Sequence, residues 1–165
     1  MKKLIVSILL LLPLGVFAQD MKIATVNTNE IFTVMPEVSD MENELVTMSK
    51  QFEQELKSME DEYTRKYTDF MAQGDSLTEN IKQLRMQEIQ DIHTRIENFI
   101  PMANQAREKK QQELFVPIRE KVQNAIKSVG EENGYTYMLD AQNLLYTGSK
   151  AIDATPQVKA KLGIK

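Results

Sequence analysis

Residues 63–81 read YTRKYTDFMAQGDSLTENI, and the run Ala72-Gln73-Gly74-Asp75-Ser76 near the middle separates two long apolar stripes. Upstream, Val38, Met41, Leu45, Met48, Phe52, Leu56, Met59, Tyr63, Tyr67 and Phe70 recur in steps of three and four. Downstream, Leu77, Ile81, Leu84, Ile89, Ile92, Ile96, Phe99, Ile100, Ala103 and Ala106 do nearly the same. Such steps line one face of an α-helix. Neither stripe is stable in water alone, and the nearest cover for each is the other. The chain from about Glu37 to about Val122 is therefore expected to form two helices folded back antiparallel, with the turn at Gly74. Pairs such as Tyr67 with Ile81, Phe52 with Ile96 and Leu45 with Ala103 share a residue-number sum of 148, which sets the expected register. At roughly 1.5 Å per residue each arm is about 55 Å long. That is a leg projecting from a small body, with the leg at 37–117 and its tip near 72–76.

Outward from the leg, the flanks read as mixed and short. Met21-Lys22-Ile23-Ala24-Thr25-Val26-Asn27 is β-branched and predicts a strand. Thr28 or Asn29 is placed to cap a short helix over residues 30–35, Pro36 restarts the chain, and Ser39 or Asp40 is placed to cap the first arm. Pro101 and Pro117 fall inside the second arm and are candidate kinks or hinges, because proline removes a helix hydrogen bond and clashes with the preceding turn. Asn133-Gly134 ends that helix. Residues 135–139 predict a second strand and Leu144-Leu145-Tyr146-Thr147 a third. Thr155-Pro156 predicts a closing helix with Thr155 as cap and Pro156 at its first position. Three short strands and little covering helix do not make an independently stable sheet. The body, 19–36 with 118–165, is expected to gain its core by sharing strands between chains, through Ile23, Val26, Tyr135, Tyr137, Leu139 and Leu145.

Residues 1–18 predict an export signal: Lys2 and Lys3, an apolar run Leu4 to Leu12, then Val16-Phe17-Ala18 before a cleavage point that leaves Gln19 first. The apolar run is shorter than the roughly 20 residues a membrane span needs. The chain has no cysteine, so disulfides and thiolate metal sites are excluded. Its one histidine, His93, reads as a solvated helix residue. Without Lys2 and Lys3 there are 18 basic and 24 acidic residues, a net charge of about −6. That argues against general nucleic-acid binding and against adhesion to anionic lipid. No nucleophile with its base, no phosphate loop and no metal-ligand spacing is present, so neither an enzyme nor a cofactor or metal site is expected.

The layout resembles the periplasmic chaperone family called OmpH or Skp. The resemblance rests on Lys22 to Asn27, on Val122-Gln123-Asn124-Ala125-Ile126-Lys127-Ser128-Val129 followed by Gly134-Tyr135-Thr136-Tyr137-Met138-Leu139-Asp140, and on Leu145-Tyr146 with Asp153-Ala154-Thr155-Pro156 and Val158-Lys159. It implies an α+β homotrimer in the periplasm, with pooled strands and three helical hairpins around a cavity. It implies an ATP-independent holdase for unfolded outer-membrane β-barrel proteins. An alternative is a periplasmic coiled-coil adaptor docking one folded partner through its tips. Family members with basic tips are credited with binding lipopolysaccharide. Here residues 60–91 carry four basic and eight acidic side chains, which argues against such a site. Client contact is then expected from apolar groups: Tyr63, Tyr67, Phe70 and Met71 crowded at the tip, with Met86 and Met102 off the seam. For the first four, packing against Leu77 and Ile81 is the competing role.

Overall fold

The computed structural model describes residues 21–164. The expected export signal over 1–18, with Gln19, lies outside them. Strand β1 (Ile23–Val26) leads into helix α1 (Thr28–Val34) and then into the first arm, α2 (Pro36–Gln73). A 3-10 turn at Gly74–Ser76 reverses the chain into α3 (Glu79–Asn133). Strand β2 (Tyr137–Asp140), a second 3-10 turn at Ala141–Asn143, strand β3 (Ile152–Asp153) and helix α4 (Thr155–Leu162) complete the order. The long antiparallel hairpin on a small sheet is the α+β architecture the stripes predict.

The sheet has the order β2-β1-β3, and both pairings are parallel. That overturns the expected third strand at Leu144–Thr147. A segment joined to β2 by a three-residue turn can return beside β2 only antiparallel, whereas a parallel partner needs a crossover. The chain instead travels on to Ile152 and pairs on the free side of β1. Thr25 Oγ1 donates to the Ile152 carbonyl at 3.3 Å, and the Ala154 N–H donates to the Thr25 carbonyl at 2.8 Å.

The helix ends also differ from expectation. Asn27, not Thr28 or Asn29, caps α1, its side chain accepting from the Glu30 N–H at 3.1 Å. The first arm takes Met35 as its N-cap residue without a side-chain bond, so neither Ser39 nor Asp40 caps it; Pro36 at the first turn has no N–H to satisfy. Thr155 lies inside α4 rather than capping it. Its hydroxyl is used tertiarily, accepting from the Asn27 N–H at 2.9 Å and donating to Asp153 at 2.6 Å. Gly134 closes α3 at φ +66°, a left-handed conformation that costs glycine no steric strain. Helix α3 runs through Pro101 and Pro117 without ending at either.

The core sits at the base. Ala24, Val26, Ile31 and Met35 pack with Ile118, Val122, Ala125 and Val129, and with Ala154 and Val158 from the C-terminal end. Met41 and Leu45 extend it into the root of the leg. Farther along the leg, among the described residues, only Ile92 and Ala103 are buried.

Candidate functional site

The leg is a two-helix object, and two helices give each stripe one neighbour. A residue on such a seam is covered on one side and open on the others. Phe52 meets Phe99 edge-on at 5.9 Å, and Tyr63 stacks on Tyr67 at 6.0 Å while tilting against His93. The remaining apolar groups are not absorbed. Tyr67, Met71, Ile81, Leu84, Met86, Ile100 and Met102 are all exposed, Met71 by 64 %. Tyr63 and Phe70 are half-buried. Of the six predicted contact residues, Tyr67, Met71, Met86 and Met102 thus face solvent. The structure brings Tyr63 and Tyr67 together, and it places Met102 away from the tip, along the arm.

Ile81, Leu84 and Ile100 depart from their expected place in the seam. The cause is a shift in register. Contacts across the arms, Phe52 with Phe99, Lys66 with Glu88, Lys110 with Glu44 and Arg95 with Glu62, share sums between 151 and 157, not 148. The fold-back is not a point at Gly74. It spans the residues between Gln73 and Glu79, whose midpoint is residue 76, and a reversal centred there displaces one stripe against the other by about one helical turn, the long Arg95 side chain reaching further along to Glu62. Side chains intended for the seam then fall beside it.

Ion pairs carry the cross-arm contacts that apolar packing does not. Lys66 bonds Glu88 at 2.8 Å, and Arg85 approaches the same oxygen at 3.3 Å. The Lys66 hydrogen bond holds the Glu88 carboxyl below the usual carboxylate range. Arg95 reaches Glu62 at 3.1 Å and Lys110 reaches Glu44 at 2.7 Å, the latter raising the Lys110 pKa. At the root, Lys121 bonds Glu37 and lowers its pKa. Pro117 lies beside this pair, in an apolar cleft of about 330 Å³ with Met41, Leu114 and Ile118. Near Pro101, whose neighbours Ile100 and Met102 are exposed, a cleft of about 220 Å³ opens between Phe52, Leu56, Phe99 and Ala103. These pairs were not foreseen, because their signal is the register, and the register was displaced.

The body presents a second open surface. Strand side chains alternate between faces. Ala24 and Val26 point into the core, and Met138 lies against Gly130 of α3. On the other face Ile23 pairs with Tyr137 and Thr25 with Leu139. Ile23, Tyr137 and Leu139 are exposed there, while Val26 is buried and Tyr135 half-buried. Leu145 and Tyr146, in the connection to β3, stand almost free of the chain, Tyr146 at 84 % exposure. From sequence Tyr146 is named only in the expected third strand and in the family's ending, not as a contact residue, and Ile152 is not named at all. A parallel sheet is ordinarily covered on both faces, so this apolar face lacks a layer.

Among the described residues no helix is long and apolar enough to cross a membrane, and no group of acidic and histidine side chains is arranged to hold a metal ion. The chain is similar to the Chaperone protein Skp of Yersinia enterocolitica, 30 % identical over 147 residues that cover 86 % of this chain and 88 % of the relative. It is 28 % identical to the Chaperone protein Skp of Pectobacterium atrosepticum over 140 residues, 83 % and 82 % of the two chains. In fold it resembles the crystal structure of an OmpH-like outer membrane chaperone of Caulobacter crescentus CB15, with a TM-score of 0.76 over 85 % of this chain and 82 % of that one, at 13 % identity. These relatives are named as chaperones, not as enzymes. The model of the outer membrane protein family (OmpH-like) matches residues 22–162, nearly all that the structure describes, and the chain belongs to that family.

Proposed function

We propose that this chain is an ATP-independent holdase of the periplasm, exported through residues 1–18, which keeps unfolded outer-membrane β-barrel proteins from aggregating. The observation that carries the reading is the row of exposed apolar side chains on the leg: Tyr67, Met71, Ile81, Leu84, Met86, Ile100 and Met102. A leg that served only as a spacer would have no use for them. Large apolar and thioether side chains on a surface suit partners without fixed shape. Tyr63 and Phe70, half-buried beside them, extend the contact. The uncovered face of Ile23, Tyr137 and Leu139, with Leu145 beyond it, supports a homotrimer whose chains supply one another's missing layer around the base (19–36 and 118–165). Three legs (37–117) then surround a cavity. Pro101 and Pro117 are the points where they flex, since each removes a helix hydrogen bond beside a cleft. The acidic balance of the tip argues against lipopolysaccharide as a ligand.

The test is light scattering of a urea-unfolded outer-membrane barrel protein diluted into the chain, with complex mass by native mass spectrometry. Suppressed aggregation saturating near three chains per client is expected. Unchanged aggregation across salt conditions, with stoichiometric binding of one folded partner, would replace the holdase by an adaptor.

A further inference from the structure

Of the ten methionines, all but Met1 lie among the described residues, and the fold sorts them. Met35 and Met41 are 2 % and 9 % exposed in the core. Met48 and Met59 are half-buried in the seam, and Met138 is half-buried against Gly130. Met71, Met86 and Met102 stand on the legs at 64 %, 59 % and 54 % exposure, and Met21, just before β1, is exposed by 60 %. The chain has neither cysteine nor tryptophan. The thioether is thus its most readily oxidised group, and three of the four exposed thioethers among the described residues are on the surface assigned above to clients.

We propose that Met71, Met86 and Met102 make client retention sensitive to oxidation by a peroxide, a property that rests on the holdase reading. Each sulfur lone pair attacks one peroxide oxygen. The O–O bond breaks, a sulfur–oxygen bond forms, and the second oxygen leaves as water with both hydrogens. Sulfur loses two electrons and the peroxide gains them. The product is a polar sulfoxide where a soft apolar contact stood, and it is reversible by sulfoxide reductases specific for each epimer. Exposure makes the change selective. A sulfoxide at Met71 projects into water and leaves the fold intact, whereas one at Met35 would put a polar group into the core. The legs lose grip before the body loses structure.

The experiment titrates the whole chain with hydrogen peroxide, maps each methionine by peptide mass spectrometry, and measures suppression of aggregation of the urea-unfolded barrel protein. The leg methionines should oxidise at doses that spare Met35 and Met41, with circular dichroism unchanged. Retention should fall on the order of tenfold and recover after treatment with both reductases. The M71L/M86L/M102L chain, compared with its own untreated value, should show no such fall. Equal retention before and after oxidation, an equal fall in the triple variant, or oxidation of Met35 and Met41 at the same dose would overturn the proposal. If the untreated chain fails to suppress aggregation, the holdase reading falls, and this inference with it, before peroxide is added.

Discussion

The body and the leg come from one chain, yet they solve burial differently. In the body, ten side chains from β1, α1, α3, α4 and the connections at Met35 and Ala154 close a core, and Ala24, Ile31, Ala154 and Val158 lose all contact with water. In the leg, two helices share a seam in which only Ile92 and Ala103 are buried beyond the root, and ion pairs supply much of the cross-arm contact. A core fixes one arrangement because every lost contact costs packing on several sides. A seam with one neighbour leaves apolar groups available and movable. On the proposed function, the part that would hold chains together and the part that would accommodate clients are separated along one molecule.

The sharpest way to break this contrast lies on the open face of the sheet. If the proposed trimer forms there, replacing Tyr137 and Leu139 together by Asp should abolish it and leave monomers by sedimentation, because two charges would occupy the face offered to the next chain. An assembly of unchanged mass would show that another surface joins the chains. Ile31→Ala should come next, costing about 3 kcal/mol of stability in denaturant titration at fixed chain concentration. Gly134→Ala places a side chain at φ +66° and should cost about 1 kcal/mol. At the small end, Leu84→Ser on the leg should change stability by less than about 0.5 kcal/mol while weakening client retention. A large stability loss there would mean that Leu84 is covered in the assembly.

Acid sharpens the comparison without mutation. Glu88 and Glu37 have pKa values lowered below their ordinary 4.5 by Lys66 and Lys121. Their contribution is complete above 4.5 and is lost as pH falls through the lower folded values. Lys110 is raised above 10.5, so its contribution is complete below that value and is lost only as pH rises beyond it. All three side chains keep about a third of their surface in water, so the effect is small. Acidification should loosen leg amides in hydrogen exchange before those of the body, and E88Q with E37Q should remove the acid dependence. Body and leg loosening together would contradict a separately held leg.

The hairpin was legible because the stripes at Val38 to Phe70 and Leu77 to Ala106 have helical periods that survive any register. The register was not, because two dense stripes match in several alignments and the connection from Gly74 to Thr78 decides among them. The same shift exposed Ile81, Leu84 and Ile100. Met86 and Met102, off the stripe from the start, were found on the surface where the pattern put them. In the body, β1 and β2 were legible from composition. Strand β3 was not, since a two-residue strand has no periodicity and is defined by its bonds to Thr25.

The central strand of the sheet is the first to be made, and the bonds that complete its surroundings come from the other end of the chain: the Asn27 N–H meets the Thr155 hydroxyl across 128 positions. Contacts at that separation form late, after the local ones are in place. As the chain is made, the leg can zip from its tip before β1 finds β2, and the other edge of β1 waits longer still, for Ile152 and Asp153. A chain stopped before Ala154 would lack the Ala154 bond to Thr25 and the Val158 side chain that completes the core. The body is therefore the last part to close, and pulse-labelled exchange should show leg amides protected before those of β1.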